Sequence, residues 1–435
     1  MHKGREMKKL IEIITKVLPI KTQISKISKV KMDSRAVEKD DIFFALNNGK
    51  KYIDDVLKKG ASLVVCDDKN WEGHERVAVV EDTLTAMQKL AHEYRKALSV
   101  KVIGVVGSNG KTTTKDIIYS VLSEKYRCIK TEGNYNNHIG VPYTLLQIDD
   151  DTEFAVVEMG MSSRGEIKIL CDIALPDYGV MTNIGDSHLE FLINRDNVFL
   201  EKSEIKNYVS PENLILFGDD VYLKNLHGIK TGFEKNNRYI IEDYHETPEG
   251  TAFKIENEIY SFHMNGKHNC INASLGTTIG KLAGLSCDEI RRGLLKCKVT
   301  AMRFEKVEKY GITYINDAYN ASPISMRYSL ETLESAYKGV SKIAVLADMG
   351  ELGKDELKYH EDVLKYAVSL DIDKIILFGK LMKEASKVIE KDSEKEKLIT
   401  AETKDEIKEI IRKNFADRVI LLKGSNFNHL WEIME

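Results

Sequence analysis

The chain has 435 residues, which is too long for a single core and predicts two to four domains. Its hydrophobic content of 43% and charged content of 30% are ordinary for a soluble globular protein, and no run approaches the roughly 20 apolar residues that a membrane span requires. With 64 basic and 68 acidic residues the formal net charge is -4, so the composition carries no electrostatic signature of nucleic-acid binding.

The cysteines and the first residues bear on the cellular compartment. The six cysteines are scattered without a C-x-x-C pair, which favours reduced core thiols over disulfides or a zinc site. The N-terminus is basic, but Glu12 and Lys16 interrupt the apolar stretch that a signal peptide requires. We therefore expect a cytoplasmic protein.

Residues 1–98 predict a small α/β domain. An amphipathic opening helix is followed by apolar runs that alternate with helical segments. The predicted elements are strands at 41–46, 61–66 and 76–80 and helices at 52–59 and 83–98. The triplet Asp33-Ser34-Arg35 precedes the first of these strands, and such triplets are common in ordinary turns.

A short apolar run at 102–106 leads into a glycine-containing turn and then an amphipathic segment, which predicts a strand, a phosphate-binding loop and a helix. In such a loop, backbone N–H groups and the positive helix end converge on an anion. We expect Lys111 to meet the β- and γ-phosphates of a nucleotide and Thr112 to ligate Mg²⁺. The general pattern requires glycine at position 105, where Val105 stands, so the chain carries a shorter form. That form is Gly107, Ser108, Asn109, Gly110, Lys111, Thr112 and Thr113.

Two polar residues follow predicted strands further along the chain. The apolar run 154–157 ends in Glu158, and the carboxyl ends of parallel strands beside a phosphate loop are where a sheet gathers ligand groups. Mg²⁺ prefers oxygen ligands, so Glu158 is the expected magnesium carboxylate, although a strand-end glutamate can also face solvent. The strand 178–184 likewise leads to His188, and a single histidine is usually structural or exposed.

The amide-rich segment 133–142 and Lys202 are ambiguous on their own. Asn134 and Asn137 lie at a loop-to-helix junction that can present amide groups to an anionic ligand, but an ordinary Asn-rich turn has the same composition. Lys202 lies on a helix that is predicted to begin after Asp196, where composition alone favours a solvated lysine.

Residues 211–264 are polar and predict a hairpin-like region, with strand-like alternation at 251–263. A helix follows from 266 to about 283. Asn269 and Asn272 are three positions apart, so they share one face of that helix.

Beyond residue 299 strands and helices alternate, which indicates a doubly wound domain with a parallel sheet covered on both faces. Arg303 and Asp317 flank the first strand, and in isolation either could be a surface ion-pair residue. The predicted strands are 311–316, 343–346, 375–378 and 419–422, and the predicted helices are 324–337, 356–369, 381–389 and 404–414.

Taken in order, these motifs resemble the Mur ligase family along essentially the whole chain. The matching strings are the phosphate loop at 107–113, Gly-Asn-Tyr-Asn-Asn-His-Ile-Gly-Val-Pro at 133–142, Gly-Lys-His-Asn-Cys-Ile-Asn-Ala at 266–273 and Asp-Ala-Tyr-Asn-Ala-Ser-Pro at 317–323. The last string, with Leu-Ala-Asp-Met-Gly-Glu-Leu-Gly at 346–353, is similar to the branch of the family that adds D-alanyl-D-alanine.

The resemblance implies three α/β domains. These are a small N-terminal domain that binds a UDP-linked substrate at 1–98, a central ATP-binding domain with a parallel sheet at 99–298, and a C-terminal Rossmann-like, doubly wound domain at 299–435. The Asp-Ser-Arg triplet then gains a role, because Ser34 and Arg35 would help to hold the UDP. Asn134 and Asn137 would be substrate contacts in the same family pattern.

The resemblance also implies a nucleotide and metal site. His188 would ligate a second Mg²⁺, and Lys202 would join it after carbamylation by CO₂, which turns a cation into an oxygen ligand. The remaining nucleotide contacts so implied are Asn269 and Asn272 near the ATP base, Arg303 reaching ATP from the hinge, and Asp317 near the ribose.

The implied activity is ATP-dependent addition of D-alanyl-D-alanine to UDP-N-acetylmuramoyl-tripeptide through an acyl phosphate, in peptidoglycan precursor synthesis. Lys111, Glu158, His188 and Lys202 would be the catalytic group, in a monomer without nucleic-acid or membrane partners. Two alternatives stay open. The stretches 47–53 and 426–429 differ from the family pattern, which would suit a paralogue joining another amino acid or peptide to another carboxylate. The chain could also be a non-catalytic nucleotide-binding partner.

Overall fold

The computed structural model describes residues 7–247, 250–414 and 418–435. Internal contacts divide these residues into two units. The first unit consists of the described part of Met1–Val106 with Leu122–Val180 and Ser203–Leu214, and the second consists of Gly107–Val121, Met181–Lys202 and the described part of Ile215–Glu435. Among the described residues, no helix is both long enough and apolar enough to cross a membrane.

The secondary structure alternates between helices and strands along most of the described chain. The α-helices are α1 (Lys8–Val17), α2 (Ile53–Lys58), α3 (Thr83–Ala97), α4 (Lys111–Leu122), α5 (Gly140–Leu145), α6 (Glu166–Ala174), α7 (Leu189–Leu192), α8 (Arg195–Lys202), α9 (Lys267–Leu282), α10 (Cys287–Lys296), α11 (Pro323–Ala336), α12 (Glu356–Ser369), α13 (Lys380–Ala385), α14 (Asp392–Lys395) and α15 (Lys404–Asn414). The strands are β1 (Val30–Lys31), β2 (Ile42–Phe44), β3 (Leu63–Cys66), β4 (Val77–Val79), β5 (Lys101–Val106), β6 (Cys128–Lys130), β7 (Phe154–Glu158), β8 (Tyr178–Met181), β9 (Leu214–Phe217), β10 (Ile229–Gly232), β11 (Tyr239–Ile240), β12 (Glu242–Thr247), β13 (Gly250–Ile255), β14 (Glu258–Phe262), β15 (Glu305–Lys309), β16 (Ile312–Asp317), β17 (Lys342–Ala347), β18 (Lys374–Phe378), β19 (Leu398–Ala401) and β20 (Val419–Lys423).

The N-terminal sheet consists of β1, β2, β3 and β4, in that order and all parallel. β2 and β3 are buried at every position, as uninterrupted apolar runs in parallel sheets usually are. Phe43 and Val64 of this sheet pack with Ile53 and Val56 of α2 in one buried cluster. The predicted α/β character of this part of the chain is confirmed, and each predicted strand is shorter than expected.

β6, β7 and β5 form a parallel ladder within the first unit. The register pairs Val105 of β5 with Glu158 of β7. Because β5 ends at Val106, Glu158 lies at the carboxyl edge of this ladder, beside the strand that leads into the glycine loop. The sequence pattern predicts Glu158 at this carboxyl edge.

The second unit shows that the hairpin prediction for residues 211–264 is wrong in its first half. β9, β10 and β11 pair in parallel, so no hairpin joins them. Antiparallel pairing begins with β12, which pairs with β13, and β13 pairs in turn with β14 in a hairpin around Glu256 and Asn257. β9 has only four residues, too few for an alternation pattern to appear, and its partner follows a long connection rather than a tight turn.

The C-terminal sheet has the strand order β15, β16, β20, β17, β18, β19. All neighbours are parallel except the hairpin of β15 and β16 at one edge. Separate apolar clusters cover the two faces: Met326, Leu330 and Val363 belong to one, and Ile407 and Ile411 to the other. The predicted doubly wound sheet is confirmed. β15 was not predicted because its sequence, Glu-Lys-Val-Glu-Lys, is too polar to stand out as a buried run. β19 was not predicted because it is a run of only four residues, of which one is buried.

Candidate active site

Two glycines shape the loop between β5 and α4. Gly107 and Gly110 have φ angles of 149° and 79°, which residues with a Cβ atom rarely adopt. A Cβ atom at position 107 would lie 1.9 Å from Thr182 Oγ1, and one at position 110 would lie 2.6 Å from Asn272 Oδ1. The loop is therefore tightly packed by its neighbours, and glycine is required at both positions.

Polar residues after β8 hold the loop from one side. Thr182 Oγ1 and Asn183 Nδ2 both donate to the carbonyl of Asn109, at 2.6 and 3.0 Å, and Asn183 Oδ1 accepts from the Asn109 N–H at 3.0 Å. Ser108 Oγ accepts from the Gly185 N–H at 2.9 Å. Thr182 and Asn183 were not among the predicted site residues, although polar residues directly after a buried strand are a usable signal.

Lys111, Thr112 and Thr113 form the first turn of α4. Lys111 Nζ donates to the carbonyl of Gly107 at 2.8 Å, so the ammonium lies over the loop. Thr112 and Thr113 are buried, at 7% and 6% exposure. A helix N-terminus, a lysine and a hydroxyl thus meet at one loop, which is the arrangement that binds phosphate anions.

The two asparagines predicted on α9 share a face and support the loop. Asn272 Nδ2 donates to Asn269 Oδ1 at 3.3 Å, and Asn272 Oδ1 accepts from Thr114 Oγ1 of α4 at 3.2 Å. Asn269 Nδ2 donates to the carbonyl of Asn265 at 2.8 Å. These buried amides connect α9 to α4 directly behind Gly110.

Arg303 reaches the loop from the segment before β15. Its Nη2 donates to Thr112 Oγ1 at 3.2 Å, and its Cζ lies 4.0 Å from the centre of the Tyr319 ring. The Nε atom of Arg303 is buried without a hydrogen-bond partner in the described structure. Such an atom carries a desolvation cost of about 1–3 kcal/mol, which an incoming acceptor would remove.

Asp317 is occupied by donors of the protein itself. Its carboxylate forms an ion pair of 2.8 Å with Lys423, accepts from Ser329 Oγ at 2.5 Å and accepts from the Phe304 N–H at 3.1 Å. Burial lowers the pKa of Lys423, although the negative charge of Asp317 opposes this effect. In this geometry the carboxylate holds together the ends of β16 and β20 and the residue after Arg303.

His188 and Lys202 lie in the same unit as the loop. His188 Nδ1 lies 2.6 Å from Glu351 Oε2, and this contact is an ion pair when the imidazole is protonated. The contact lowers the pKa of Glu351, and the positive charge of Lys111 lowers it further. Lys202 is 1% exposed, and burial, together with the charge of Lys111, lowers the pKa of its amine well below the ordinary value. The prediction of a solvated Lys202 from composition alone is therefore wrong.

Glu158 in the first unit has the features of a metal ligand. It is 3% exposed, its Oε1 accepts from Asn136 Nδ2 at 2.8 Å, and its Oε2 is buried without a hydrogen-bond partner in the described structure. A bare buried carboxylate oxygen is costly, and a cation would satisfy it. Asn136 was not among the predicted site residues. The described residues contain no cluster of three or more His, Cys, Asp or Glu arranged around a metal position, so phosphate oxygens and waters would have to complete such a site.

The four predicted substrate residues lie in the first unit. Asn137 Oδ1 accepts from the N–H groups of Ile139 and Gly140, at 3.1 and 3.0 Å, just before and at the first residue of α5. Asn134 is exposed, and its carbonyl accepts from the Asn136 N–H at 2.7 Å.

The Asp-Ser-Arg triplet forms a short turn stabilised by its own charges. Arg35 donates from Nε and Nη2 to the Asp33 carboxylate, at 3.0 and 2.8 Å. These hydrogen bonds lower the pKa of Asp33 to about 2. Ser34 is half-buried, and its carbonyl accepts from Lys59 Nζ at 2.8 Å.

Comparison with known proteins gives a consistent result along the chain. Residues 105–280 match the family model of the Mur ligase middle domain, and residues 302–426 match that of the Mur ligase glutamate ligase domain. The UDP-N-acetylmuramoyl-tripeptide--D-alanyl-D-alanine ligase of Bacillus subtilis (strain 168) is 37% identical over 420 residues, which cover 93% of this chain and 92% of that protein. A ligase of the same name from Treponema pallidum (strain Nichols) is 33% identical and covers 80% of each chain.

Solved structures of similar proteins share the fold. A crystal structure of MurF from Acinetobacter baumannii matches with a TM-score of 0.85 and 26% identity, over 99% of both chains. The MurF ligase from Thermotoga maritima in complex with ADP matches with a TM-score of 0.81 and 27% identity, over 95% of this chain and 97% of that one.

Proposed function

This chain belongs to the Mur ligase family, and from that premise we propose that it joins D-alanyl-D-alanine to UDP-N-acetylmuramoyl-tripeptide at the expense of ATP, a step of peptidoglycan precursor synthesis. Relatives that match 93% and 80% of this chain carry this activity in their names. The observation that carries the proposal within the structure is the convergence of Lys111, Thr112 and Arg303 on one glycine loop.

The chemistry requires activation of a carboxylate that does not react with amines by itself. The γ-phosphoryl group of ATP passes to the terminal carboxylate of the tripeptide, which gives an acyl phosphate and ADP. The amine of D-alanyl-D-alanine then attacks the acyl carbon, an amide bond forms, and inorganic phosphate leaves. Lys111 and Arg303 supply fixed positive charge where the phosphoryl oxygens gain negative charge, so the protein acts mainly by positioning and electrostatic stabilisation.

Magnesium is the cofactor that we propose for this reaction, and it would neutralise part of the triphosphate charge when bound. The orphaned Glu158 Oε2 and the Thr112 hydroxyl are suitable oxygen donors. His188 and Lys202 are the proposed ligands of a second ion. For Lys202, a neutral amine would attack CO₂, form an N–C bond and release one proton, and burial of the side chain favours the neutral amine.

The remaining assignments are proposals of the same kind. Ser34, Arg35, Asn134 and Asn137 would contact the UDP-muramyl substrate. Asn269, Asn272 and Asp317 would form the nucleotide site together with the loop residues 107–113. The domains would be 1–98, 99–298 and 299–435, in a monomeric protein of the cytoplasm, where ATP and UDP-linked precursors are available.

ADP release is the direct test of this function. Purified protein is given ATP, Mg²⁺ and UDP-muramyl-tripeptide, with and without D-alanyl-D-alanine, and the product is identified by mass spectrometry. We expect ADP release that depends on both acceptor and dipeptide, and a product extended by one dipeptide. The Lys111→Ala variant is the control for contaminating ATPases. Nucleotide binding without turnover on the muramyl acceptor would contradict the proposal.

A second candidate is a paralogue that adds a different amino acid or peptide. The observation that favours it is the divergent stretch 426–429, which contains the exposed Phe427. Asn428 Nδ2 donates to the carbonyl of Asp348 at 2.8 Å, so this stretch is attached to the end of β17. A panel of D- and L-amino acids and dipeptides in the same assay distinguishes the candidates, since preference for any member over D-alanyl-D-alanine would favour the paralogue.

The magnesium assignment has its own test. Glu158→Gln keeps the size of the side chain and the contact with Asn136 but removes the charge. We expect the variant to bind Mn²⁺, used as a spectroscopic probe in the presence of ADP, about 10–100-fold more weakly than the parent protein. Glu153→Gln, at a carboxylate that accepts from the Arg127 N–H at 2.9 Å, is the matched control. Equal Mn²⁺ affinity of the parent protein and Glu158→Gln would exclude Glu158 as a ligand.

A further inference from the structure

The segment that carries Arg303 has an unfavourable backbone. It follows α10 and joins the part of the chain that matches the middle-domain family model, residues 105–280, to the part that matches the glutamate ligase domain model, residues 302–426. Met302 and Phe304, on either side of Arg303, have φ angles of 62° and 57°. Residues with side chains pay of order 1–3 kcal/mol for such conformations, which persist only where surrounding contacts hold them.

A buried carboxylate holds the segment on one side of Arg303. Asp116 Oδ2 accepts from both the N–H and the Oγ1 of Thr300, at 2.9 and 2.7 Å. Asp116 is 1% exposed, and its Oδ1 lies 3.3 Å from Lys115 Nζ. Asp116 lies on α4 four positions after Thr112, so the two side chains project from the same face of the helix.

A second carboxylate holds the segment on the other side. The Phe304 N–H donates to Asp317 Oδ1 at 3.1 Å, and Asp317 is itself fixed by Lys423 at 2.8 Å. Arg303 therefore lies between two anchored residues, and the strained backbone at 302 and 304 turns its side chain toward Thr112. The contact with Asp116 bears most directly on Arg303, because Asp116 and Thr112, which Arg303 contacts, both lie on α4.

We propose that Asp116 and Thr300 form a latch that positions Arg303 on the nucleotide loop. Asp116 is a positioning residue in this scheme, since it acts on the nucleotide through Thr300 and Arg303 rather than by contact. The inference rests on the proposed function, because it takes Arg303 to be a ligand of the nucleotide phosphates. Nothing in the phosphate-loop motif itself assigns a role to Asp116, which lies outside the loop.

A double-mutant cycle tests the latch. Thr300→Val removes the hydroxyl donor while the backbone N–H and the neighbouring Lys115 remain, so the change is mild. We expect Thr300→Val to weaken ADP binding about tenfold, the loss typical of one hydrogen bond to a charged group. In a protein that already carries Arg303→Ala, the same substitution is expected to change the ADP dissociation constant less than twofold. Calorimetric titration measures the dissociation constants, and thermal unfolding verifies that each variant is folded.

A matched control removes a similar contact elsewhere. Thr313 Oγ1 donates to the carboxylate of Glu308 at 2.9 Å on the edge hairpin, and Thr313→Val is expected to leave ADP binding unchanged. Asp116→Asn is the second variant and should resemble Thr300→Val in its dependence on Arg303.

The outcomes separate the latch from the function it rests on. If Thr300→Val weakens ADP binding equally in proteins with and without Arg303, Thr300 has a general structural role and the latch is overturned. The latch is also overturned if Arg303→Ala weakens ADP binding while Thr300→Val leaves it unchanged. Unchanged binding by Arg303→Ala would instead refute the proposed role of Arg303.

Discussion

Arg303 Nη2 donates a 3.2 Å hydrogen bond to Thr112 Oγ1, although 191 residues separate the two along the chain. The guanidinium also lies over Tyr319, whose ring centre is 4.0 Å from Cζ. The hydrogen bond and the cation–π contact together hold the guanidinium in place. The cation thus lies next to a hydroxyl in the first turn of α4.

This geometry predicts that lysine cannot replace Arg303. Arg303→Lys keeps the charge but loses the planar fork and the stacking on Tyr319, so we expect the KM for ATP to rise about tenfold. Arg303→Ala should lower kcat/KM about 10–100-fold. Steady-state ADP release over an ATP titration measures both. Arg238→Lys, at an exposed arginine stacked on Tyr239, is the control. A normal KM for Arg303→Lys would contradict the prediction.

Gly110 offers a test of how closely the loop is packed. Gly110→Ala and Gly284→Ala both place a side chain at nearly the same φ, 79° and 77°, so both should pay the same backbone cost of about 1 kcal/mol. Only position 110 has a close neighbour, Asn272 Oδ1 at 2.6 Å from the added Cβ, whereas position 284 has nothing within 4 Å. We expect Gly110→Ala alone to weaken ADP binding, by tenfold or more. Similar binding by the two variants would refute the predicted clash.

Lys202 should react with CO₂ because burial lowers the pKa of its amine and so favours the neutral form, which is the nucleophile. With ¹³C-bicarbonate we expect a carbamate resonance in the ¹³C NMR spectrum of the protein, and its loss in Lys202→Arg. Lys202→Ala should reduce turnover strongly, and acetate should restore part of it by supplying the missing carboxylate. Lys206→Ala, at an exposed lysine in the following turn, is the control. Full activity of Lys202→Ala without acetate would exclude a role for the carbamate.

His360 makes the stability of the C-terminal sheet depend on pH. Its ring is 0% exposed, Nε2 accepts from the Met349 N–H at 2.8 Å, and burial lowers the pKa of the imidazole below its ordinary value of 6.5. When the pH falls below the ordinary pKa of 6.5, the imidazole takes up a proton in the unfolded chain but not in the folded one. The free energy of unfolding therefore falls as the pH falls. We expect His360→Gln to flatten this dependence between about pH 7 and pH 5. Urea unfolding at several pH values measures it, and an unchanged slope would contradict the prediction.

The sequence by itself determined the features that depend on short stretches of chain. The apolar runs predicted the strands that carry the loop and Glu158, because strands buried on both faces of a parallel sheet consist of nearly uninterrupted apolar residues. Gly107 and Gly110 marked the loop because only glycine accepts its backbone angles without strain. The order of the motifs was enough to identify the family.

The tertiary structure alone decided which distant residues share the site. Nothing near Asp116 in the sequence points to Thr300, 184 residues away, and composition placed Lys202 in solvent, whereas the fold buries it beside the charge of Lys111. The parallel pairing of β9 with β10 was likewise invisible, because a four-residue strand has no period to read. Local patterns record the state of the backbone, but contacts between side chains depend on how helices and strands pack, which no short stretch of sequence contains.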